Sequence, residues 1–378
     1  MDNALEHYLF ARADRTGVPL KATLELTPLC NLACRMCYLR HEPGEVRDKG
    51  GLLPPDFWRS LIPALREAGT LFVALIGGEI FTLPRLEELY TELHRSGFYL
   101  NFTTNGVLLA DGVPDWLVSH KPRYATVSLY GATDESYRRL TGAEHGFTRT
   151  VAGIENLIRA GVPTKLNALI GPENVGELAE IARFAKEREL PLLATAYQFP
   201  NGVRNTCSGY RRLEPEAAAR AELELRRLTR TPQAFADWLA WMQSPPFPEP
   251  ERGRRFRCRA AGSTVWISWR GRLSACGMLE EPSVDLCDGT PFPEALRRLR
   301  EQTAAVTLSE DCATCAKHSH CSVCPAMLYA ESGSFEQVPR YLCRFTEELI
   351  RLAKEEPLPE GLTGNPESIR NEGAEELC

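Results

Sequence analysis

Three cysteines near the amino terminus of this chain have a spacing that suits metal chemistry. Cys30, Cys34 and Cys37 follow one another as C-x3-C-x2-C. Three thiolates so spaced can hold three irons of a cubane iron–sulfur cluster and leave the fourth iron without a protein ligand. Structural zinc is the alternative, but it needs four ligands, and the nearest further candidate is His41. The motif therefore favours an iron–sulfur centre whose open iron can bind an outside molecule.

The chain has thirteen cysteines in all. Disulfides are rare in a reducing compartment, so metal binding is the expected use of so many thiols. Eight of them form a second group: Cys258, Cys276, Cys287, Cys312, Cys315, Cys321, Cys324 and Cys343. The part from Cys312 to Cys324, with His318 and His320 inside it, could by itself form a zinc knuckle. Cys207 and Cys378 stand alone.

The first cysteine group lies in a region of alternating strand-like and helix-like segments, from Lys21 to about Pro200. Apolar runs predict six strands, at 22–26, 71–76, 99–104, 124–129, 164–170 and 192–197. Amphipathic stretches predict helices between them, at 54–68, 85–96, 146–160 and 175–188. This alternation is typical of βα units around a parallel sheet, in which loops at the carboxyl ends of the strands build the site.

Composition narrows the class of protein. The 378 residues exceed what one core usually organises, so two domains are expected. Forty-four basic against fifty acidic residues disfavour a nucleic-acid duplex as partner. The amino terminus is not a secretory signal, and no stretch is long and apolar enough to span a bilayer. A cytoplasmic protein without a membrane partner is expected.

The cysteine loop resembles that of the radical S-adenosylmethionine (SAM) enzymes, in which the amine and carboxylate of SAM bind the open iron. Gly77-Gly78-Glu79, after the second predicted strand, looks like the family's GGE motif, which contacts the SAM amino group. The family's aromatic residue between the second and third cysteines is replaced by Met36, and Tyr38 is the candidate to contact adenine instead. The resemblance implies a partial (β/α)6 TIM-type barrel.

Polar residues at later strand ends also match the family. The resemblance implies that Thr103, Thr104, Asn105 and Ser128 hydrogen-bond the ribose and carboxylate of SAM, and that Asn174 lies near adenine. The alternative is that these residues close turns. Tyr130 stands where many members have Asp, so it either faces substrate or packs in the core.

The second cysteine group resembles the seven-cysteine SPASM domain, which carries auxiliary iron–sulfur clusters. The family assignment gives Cys312, Cys315, Cys321 and Cys343 to an outer cluster and Cys258, Cys276 and Cys324 to an inner one. Cys287 is the candidate for an eighth ligand; without it, the inner cluster would keep an open iron. Three 4Fe–4S clusters are therefore expected.

The resemblance divides the chain into an amino-terminal segment (1–20), a radical SAM barrel (21–210), a helical linker (211–255), a SPASM domain (256–347) and a loosely ordered acidic tail (348–378). The basic run at 252–259 is either a solvated face or a site for an acidic peptide. Cys207 and Cys378 are either packing residues or thiols that donate a hydrogen atom to a substrate radical.

The resemblance implies an oxidoreductase that cleaves SAM reductively and removes a substrate hydrogen with the resulting 5′-deoxyadenosyl radical. A ribosomally made peptide is the first expected substrate, modified by a thioether or carbon–carbon crosslink. A small molecule such as a sugar or aminocyclitol is the second, and a non-catalytic electron-transfer module is the third possibility. Flavodoxin or ferredoxin would supply electrons. Only about 20 residues precede the first predicted strand, so a peptide substrate would call for a separate leader-recognition protein.

Overall fold

A computed structural model describes residues 4–200, 204, 210–248, 256 and 258–369. The chain forms two compact units. Of the described residues, the first unit contains 4–167, 204 and 260–305, and the second contains 168–200, 210–248, 256, 258–259 and 306–369. This division follows packing and does not test the predicted domain boundaries, which stay a prediction.

The described residues contain nine strands. These are β1 (Lys21–Glu25), β2 (Phe72–Ile76), β3 (Tyr99–Thr104), β4 (Tyr124–Ser128), β5 (Thr164–Leu169), β6 (Leu192–Thr195), β7 (Thr264–Ile267), β8 (Arg272–Ser274) and β9 (Ser283–Asp285). In the first unit the strand order is β5-β4-β3-β2-β1-β7-β8-β9. Strands β1 to β5 and β7 pair in parallel, and β8 and β9 continue the sheet as antiparallel strands. In the second unit, the amide of Ile170, just after β5, donates to the carbonyl of Thr195 in β6 (2.9 Å).

Fifteen α-helices occur in the described residues. These are α1 (Ala4–Thr16), α2 (Pro43–Asp48), α3 (Pro55–Glu67), α4 (Leu86–Arg95), α5 (Asp115–Ser119), α6 (Asp134–Thr141), α7 (Gly146–Arg159), α8 (Leu178–Glu187), α9 (Pro215–Thr229), α10 (Pro232–Gln243), α11 (Phe292–Ala304), α12 (Glu310–Ala313), α13 (Pro325–Ser332), α14 (Arg340–Glu355) and α15 (Pro366–Ile369). The six predicted strands and the four helices predicted between them are confirmed within a few residues at each end. Helices α3, α4, α7 and α8 each bury an apolar face. Helices α9 and α14 of the second unit pack on each other.

The two faces of the first unit's sheet differ in chemistry. Leu24, Leu75, Phe102, Val127 and Leu166 alternate along their strands and are at most 1% exposed. They form the apolar core under the helices. The alternate positions are more polar, and many of them are partly exposed, so this second face borders accessible space. At the amino ends of the strands, Phe10 of α1 stacks on Phe72 of β2, with 5.7 Å between ring centroids.

The end of the chain is more ordered than expected up to residue 369. Helix α14 continues to Glu355, and the segment before α15 bonds to α10. The amide of Asn365 donates to Asp237 (2.8 Å), and Gln233 donates to the carbonyl of Thr363 (3.0 Å). These bonds fix a segment that composition alone suggested to be a loose tail. Among the helices of the described residues, none combines the length and apolar character needed to cross a membrane.

Candidate functional site

The cysteine loop leaves the carboxyl end of β1 and gathers its three thiols in one place. Burial raises the pKa of Cys30 to about 11 and the pKa of Cys34 well above its usual value, and the neighbouring thiols raise both further. Backbone amides point at the sulfurs: Leu32 donates to Cys30 (3.4 Å) and Arg40 donates to Cys37 (3.2 Å). Amide donors favour thiolate, whereas burial opposes it, so a bound metal would supply the positive charge that three buried thiolates need. The loop therefore fits an iron–sulfur ligand set.

Two glycines allow this loop to lie against the end of β2. A Cβ atom on Gly77 would be 2.5 Å from the carbonyl oxygen of Thr27, and one on Gly78 would be 2.2 Å from that of Leu29. The amide of Gly78 donates to Thr27 (2.6 Å) and the amide of Glu79 donates to Leu29 (2.9 Å). The glycines are therefore needed for the close packing of the cysteine loop. Their predicted contact with SAM stays a prediction.

Glu79 is a buried carboxylate that joins the ends of β2 and β3. Its side chain accepts from the hydroxyl of Thr104 (2.9 Å), from the amide of Asn105 (2.8 Å) and from the amide of Phe81 (3.1 Å). It is fully buried, and burial raises its pKa against the effect of these donors. A role for Glu79 in binding the SAM ammonium stays a prediction, while its role in holding the strand ends is evident from the hydrogen bonds.

Asn105 continues this network to the cysteine loop. Its amide nitrogen donates to the side chain of Asn31 (2.8 Å) and approaches the sulfur of Cys30 (3.7 Å). Its side-chain oxygen accepts from the amide of Val107 (3.0 Å). The predicted SAM-binding residues Glu79, Thr104 and Asn105 thus form one connected unit with the first cysteine.

Ser128 and Tyr130 lie at the carboxyl end of β4, beside the cysteine loop. Ser128 is 7% exposed and hydrogen-bonds Tyr130. Burial raises the pKa of Tyr130 well above its usual value, and the thiol of Cys34 is the second cause. Tyr130 is half-buried beside the thiol of Cys34. Whether it faces substrate or packs in the core stays a prediction.

Tyr38 lies beside a buried ion pair that the sequence analysis did not identify. Glu25, the last residue of β1, accepts from both terminal nitrogens of Arg204 (2.7 and 2.8 Å) and from the indole of Trp266 (3.1 Å). Arg204 also donates to the carbonyl of Gly277 (2.7 Å), and its guanidinium lies 5.9 Å from the centre of the Tyr38 ring. The only signal in the sequence is a carboxylate in an otherwise apolar strand end. Adenine stacking by Tyr38 stays a prediction.

Asn174, after β5 in the second unit, uses its side chain in a turn. Its oxygen accepts from the amide of Gly171 (2.7 Å), its nitrogen donates to the carbonyl of Leu169 (3.0 Å), and the residue is fully buried. This geometry matches the turn-closing alternative. The predicted contact with adenine is untested.

Four cysteines of the second unit lie near one another, and their assignment to one cluster stays a prediction. Burial raises the pKa of Cys343 to about 11, and Cys321, Cys312 and Cys315 raise it further in that order. Helix α12 carries Cys312 and helix α14 carries Cys343, so two helices and the loop between them supply the thiols. Nowhere in the described part of the chain do three His, Cys, Asp or Glu side chains converge on a single metal ion.

The two histidines of the suggested zinc knuckle have other partners. His318 pairs through Nδ1 with the carbonyl of Cys312 (2.7 Å), and His320 pairs through Nε2 with that of Trp241 (2.8 Å). His320 also stacks on the Trp241 ring, with 4.5 Å between centroids. Both rings are buried. A carbonyl partner on Nδ1 of His318 is also the usual arrangement of a metal-binding histidine, so the zinc alternative stays open.

The sheet register separates Cys276 from Cys287. In the β8–β9 pair Ser274 lies opposite Ser283, and Arg272 lies opposite Asp285. Cys276 therefore follows one end of the ladder and Cys287 follows the other. This corrects the suggestion that Cys287 is an eighth ligand alongside Cys276, because one cluster cannot reach both ends of a strand pair. Cys287 is instead exposed, with its sulfur 3.7 Å from the carbonyl of Arg270.

The remaining candidates stay predictions. Cys276 belongs to the first unit, whereas Cys258 and Cys324 belong to the second, where Cys324 packs near Tyr197. Cys207 and Cys378 lie outside the described residues, as does most of the basic run at 252–259.

Comparison with known proteins matches part of the chain to a known family. Residues 24–185 match the family model of the radical SAM superfamily. The PqqA peptide cyclase of Gluconobacter oxydans is 30% identical over 169 residues, which are 45% of this chain and 46% of that protein. The AdoMet-dependent heme synthase of Methanosarcina barkeri is 24% identical over 347 residues, 86% of this chain and 97% of that protein.

A solved structure shows the same fold. SuiB of Streptococcus suis bound to precursor peptide SuiA covers 91% of this chain and 82% of its own, with a TM-score of 0.60 at 18% identity. This likeness confirms the predicted α/β partial barrel. The chain spans about half the length of the peptide cyclase.

Proposed function

We propose that this protein, whose residues 24–185 form a radical SAM domain, is an enzyme that modifies a ribosomally made peptide. The observation that carries the proposal is the connected network from Glu79 through Asn105 to Cys30. It holds Cys30 beside polar strand ends, and the thiols of Cys34 and Cys37 lie near Cys30. An iron–sulfur cluster with an open iron needs three such thiols.

The residues of this chain would bind, orient and shield the cofactors. Cys30, Cys34 and Cys37 would hold the cluster, and Ser128, Thr104 and Asn105 border the place where SAM would bind. When bound, the cluster and SAM supply a 5′-deoxyadenosyl radical, which can remove a hydrogen from an unactivated carbon. Tyr130 lies beside the thiol of Cys34 and would shield part of the cluster site from water, which protects a reactive site from side reactions.

The second unit would hold an auxiliary cluster on Cys312, Cys315, Cys321 and Cys343. Their mutual proximity supports this assignment. A further cluster with Cys258, Cys276 and Cys324 is proposed from the family resemblance alone. Auxiliary clusters can accept an electron, because their potentials vary widely with ligation and burial. A flavodoxin or ferredoxin as electron donor and a separate leader-recognition protein complete the proposal.

Peptide modification is supported by two of the similar proteins. One is named as a peptide cyclase, and the structure of another contains its precursor peptide. The match to the heme synthase covers nearly all of that protein and favours a second candidate, a small-molecule substrate. Both candidates share the radical chemistry and differ in the substrate.

The first experiment tests the chemistry. Anaerobically reconstituted protein, given SAM and dithionite, should release 5′-deoxyadenosine, and Cys30→Ala should not. Ser60→Ala, a substitution at an exposed position of α3, is the control for effects of preparing any variant, and it should release 5′-deoxyadenosine like the wild type. Equal release from wild type and Cys30→Ala would refute the enzyme proposal and leave a non-catalytic metal module.

The second experiment tests the substrate. The protein is coexpressed with short peptides encoded beside its gene, and these are analysed by mass spectrometry. A loss of two hydrogens per crosslink supports peptide modification. If the peptides stay unchanged and a tetrapyrrole carboxylate stimulates 5′-deoxyadenosine release, the small-molecule candidate replaces it.

A further inference from the structure

The inner face of the first unit's sheet has polar side chains where a packed barrel would have apolar ones. Asn101, Thr103, Tyr124, Thr126 and Lys165 lie on the face opposite the apolar core, in paired register across β3, β4 and β5. Interiors of filled barrels are dominated by branched apolar residues. A partly exposed polar lining therefore indicates a space for a polar ligand.

Lys165 forms no ion pair with a carboxylate of the described residues, and Glu6 acts on its charge only at longer range. Its ammonium lies 4.0 Å from the centre of the Tyr124 ring, and the residue is exposed. Arg123 also lies by that ring, but it is neutralised by Glu6 of α1. Partial burial lowers the pKa of Lys165, Arg123 lowers it further, and Glu6 opposes them. An anionic ligand would supply the missing counter-charge.

Tyr124 and Asn101 present further open hydrogen-bonding groups beside Lys165. The amide nitrogen of Asn101 donates to the Tyr124 hydroxyl (2.9 Å), and within the described part of the chain that hydroxyl has no acceptor for its own proton. Asn101 is only 4% exposed, yet its side-chain oxygen finds no donor among the described residues. If the side-chain amide of Asn101 is turned by 180°, its nitrogen is the atom without a partner among the described residues, and its oxygen is not. A buried polar atom without a partner is costly, so a ligand that supplies one is favoured.

We propose that Lys165, Tyr124 and Asn101 form a subsite that binds a carboxylate group of the substrate. The ammonium and the phenol donate to the carboxylate oxygens, and Asn101 accepts an N–H from the same substrate. That the bound molecule is a substrate rests on the proposed function. Binding of a carboxylate requires only the side chains of the inner face.

The subsite lies near the amino ends of the strands. The Lys165 ammonium lies over Tyr124, the first residue of β4, and Ser128 is the last residue of that strand. Four residues of a parallel strand span about 13 Å. A substrate whose carboxylate is held by Lys165 would therefore have to extend about 13 Å along the inner face to reach the predicted SAM site. The carboxylate can come from an acidic residue of a peptide or from a small-molecule acid.

The test is competitive labelling of lysines on the full-length, anaerobically reconstituted protein. Reductive methylation is followed by peptide mapping, with and without an acetylated Gly-Glu-Gly amide peptide, coproporphyrin III, or the matching Gly-Gln-Gly peptide. A carboxylate ligand should slow methylation of Lys165 while the exposed Lys121 reacts unchanged. Tyr124→Phe should require about tenfold more ligand for the same protection, because it removes one donor to a charged group. Circular dichroism shows whether this variant is folded.

Each outcome decides the matter. Protection by the Glu peptide alone supports a peptide source of the carboxylate, and protection by coproporphyrin III alone supports a small-molecule source. Equal methylation of Lys165 under all conditions, or equal protection by the Gln peptide, overturns the subsite. Because labelling needs no SAM cleavage, a failed 5′-deoxyadenosine assay would refute the proposed function and leave this result standing.

Discussion

The buried pair of Glu25 and Arg204 gives a sharp prediction about the site. Their side chains are 0% and 6% exposed, and they join through two hydrogen bonds. Arg204→Met leaves the Glu25 carboxylate buried with only the indole of Trp266 as a described donor. Glu25→Gln leaves a buried guanidinium without its counter-charge. Each single change should therefore loosen the end of β1, from which the cysteine loop departs.

The expected loss of local stability follows from the burial of both charges. Removing one partner of a buried ion pair costs about 3–5 kcal/mol, because the other charge stays desolvated. Replacing both charges at once removes that penalty, so the double variant Glu25→Gln/Arg204→Met should be less destabilised than the sum of the single variants. The expected coupling is about 1–3 kcal/mol for groups in direct contact.

Amide hydrogen exchange of β1 is the suitable assay. The protein has two compact units, so a single global unfolding transition cannot be assumed, whereas exchange reports the local opening free energy. Arg297→Met on α11 is a matched control, because its ion pair with Glu294 is exposed and should leave β1 unaffected. The reasoning is refuted if Arg204→Met changes the opening free energy of β1 by less than about 1 kcal/mol, or if the two single effects simply add.

Three further changes test other parts of the site. Gly78→Ala would place a Cβ atom 2.2 Å from the backbone of the cysteine loop. The substitution should lower the free energy of unfolding by about 1–3 kcal/mol and reduce the iron bound per protein after reconstitution. The control Gly44→Ala, where the added Cβ meets only ordinary contact, should have neither effect. Thr104→Val removes a hydroxyl donor from the buried Glu79 and should destabilise β3 by about 1–3 kcal/mol in hydrogen exchange; unchanged exchange would show that the bond contributes nothing. Two arginines lower the pKa of Glu88 to about 2 from 4.5, so its stabilising effect is present above pH 4.5 and is lost as pH falls toward 2. The local opening free energies of α4 in wild type and Glu88→Gln, measured by hydrogen exchange, should therefore converge over that range, and a constant gap would contradict the ion-pair account.

Much of the fold could be predicted from local patterns. The strands β1 to β6 appeared as short apolar runs, and helices such as α7 appeared as amphipathic stretches between them, because both signals depend on neighbours in the sequence. The segment after residue 350 could not be predicted in this way. Its order depends on bonds such as that between Asn365 and Asp237, which join residues far apart in the chain.

The residues of the site also fall into those that local sequence predicts and those that only contacts between distant residues bring together. The spacing of Cys30, Cys34 and Cys37 and the glycines before Glu79 identify the chemistry, because ligand spacing and close backbone approach are local requirements. The sequence also contains a signal for the inner-face subsite that was not used. Polar residues alternate in β3 at Asn101 and Thr103, although strands covered on both faces are usually apolar throughout.

The sequence by itself predicted an iron–sulfur ligand set and determined the order of βα units, because both patterns lie within short stretches of the chain. Only the tertiary structure decided which distant groups meet. It joined Glu25 to Arg204, placed Lys165 over Tyr124, and set Cys276 and Cys287 at opposite ends of one strand pair. The physical reason is that ion pairs, ring contacts and strand register depend on distances in space, and separation along the chain does not fix those distances.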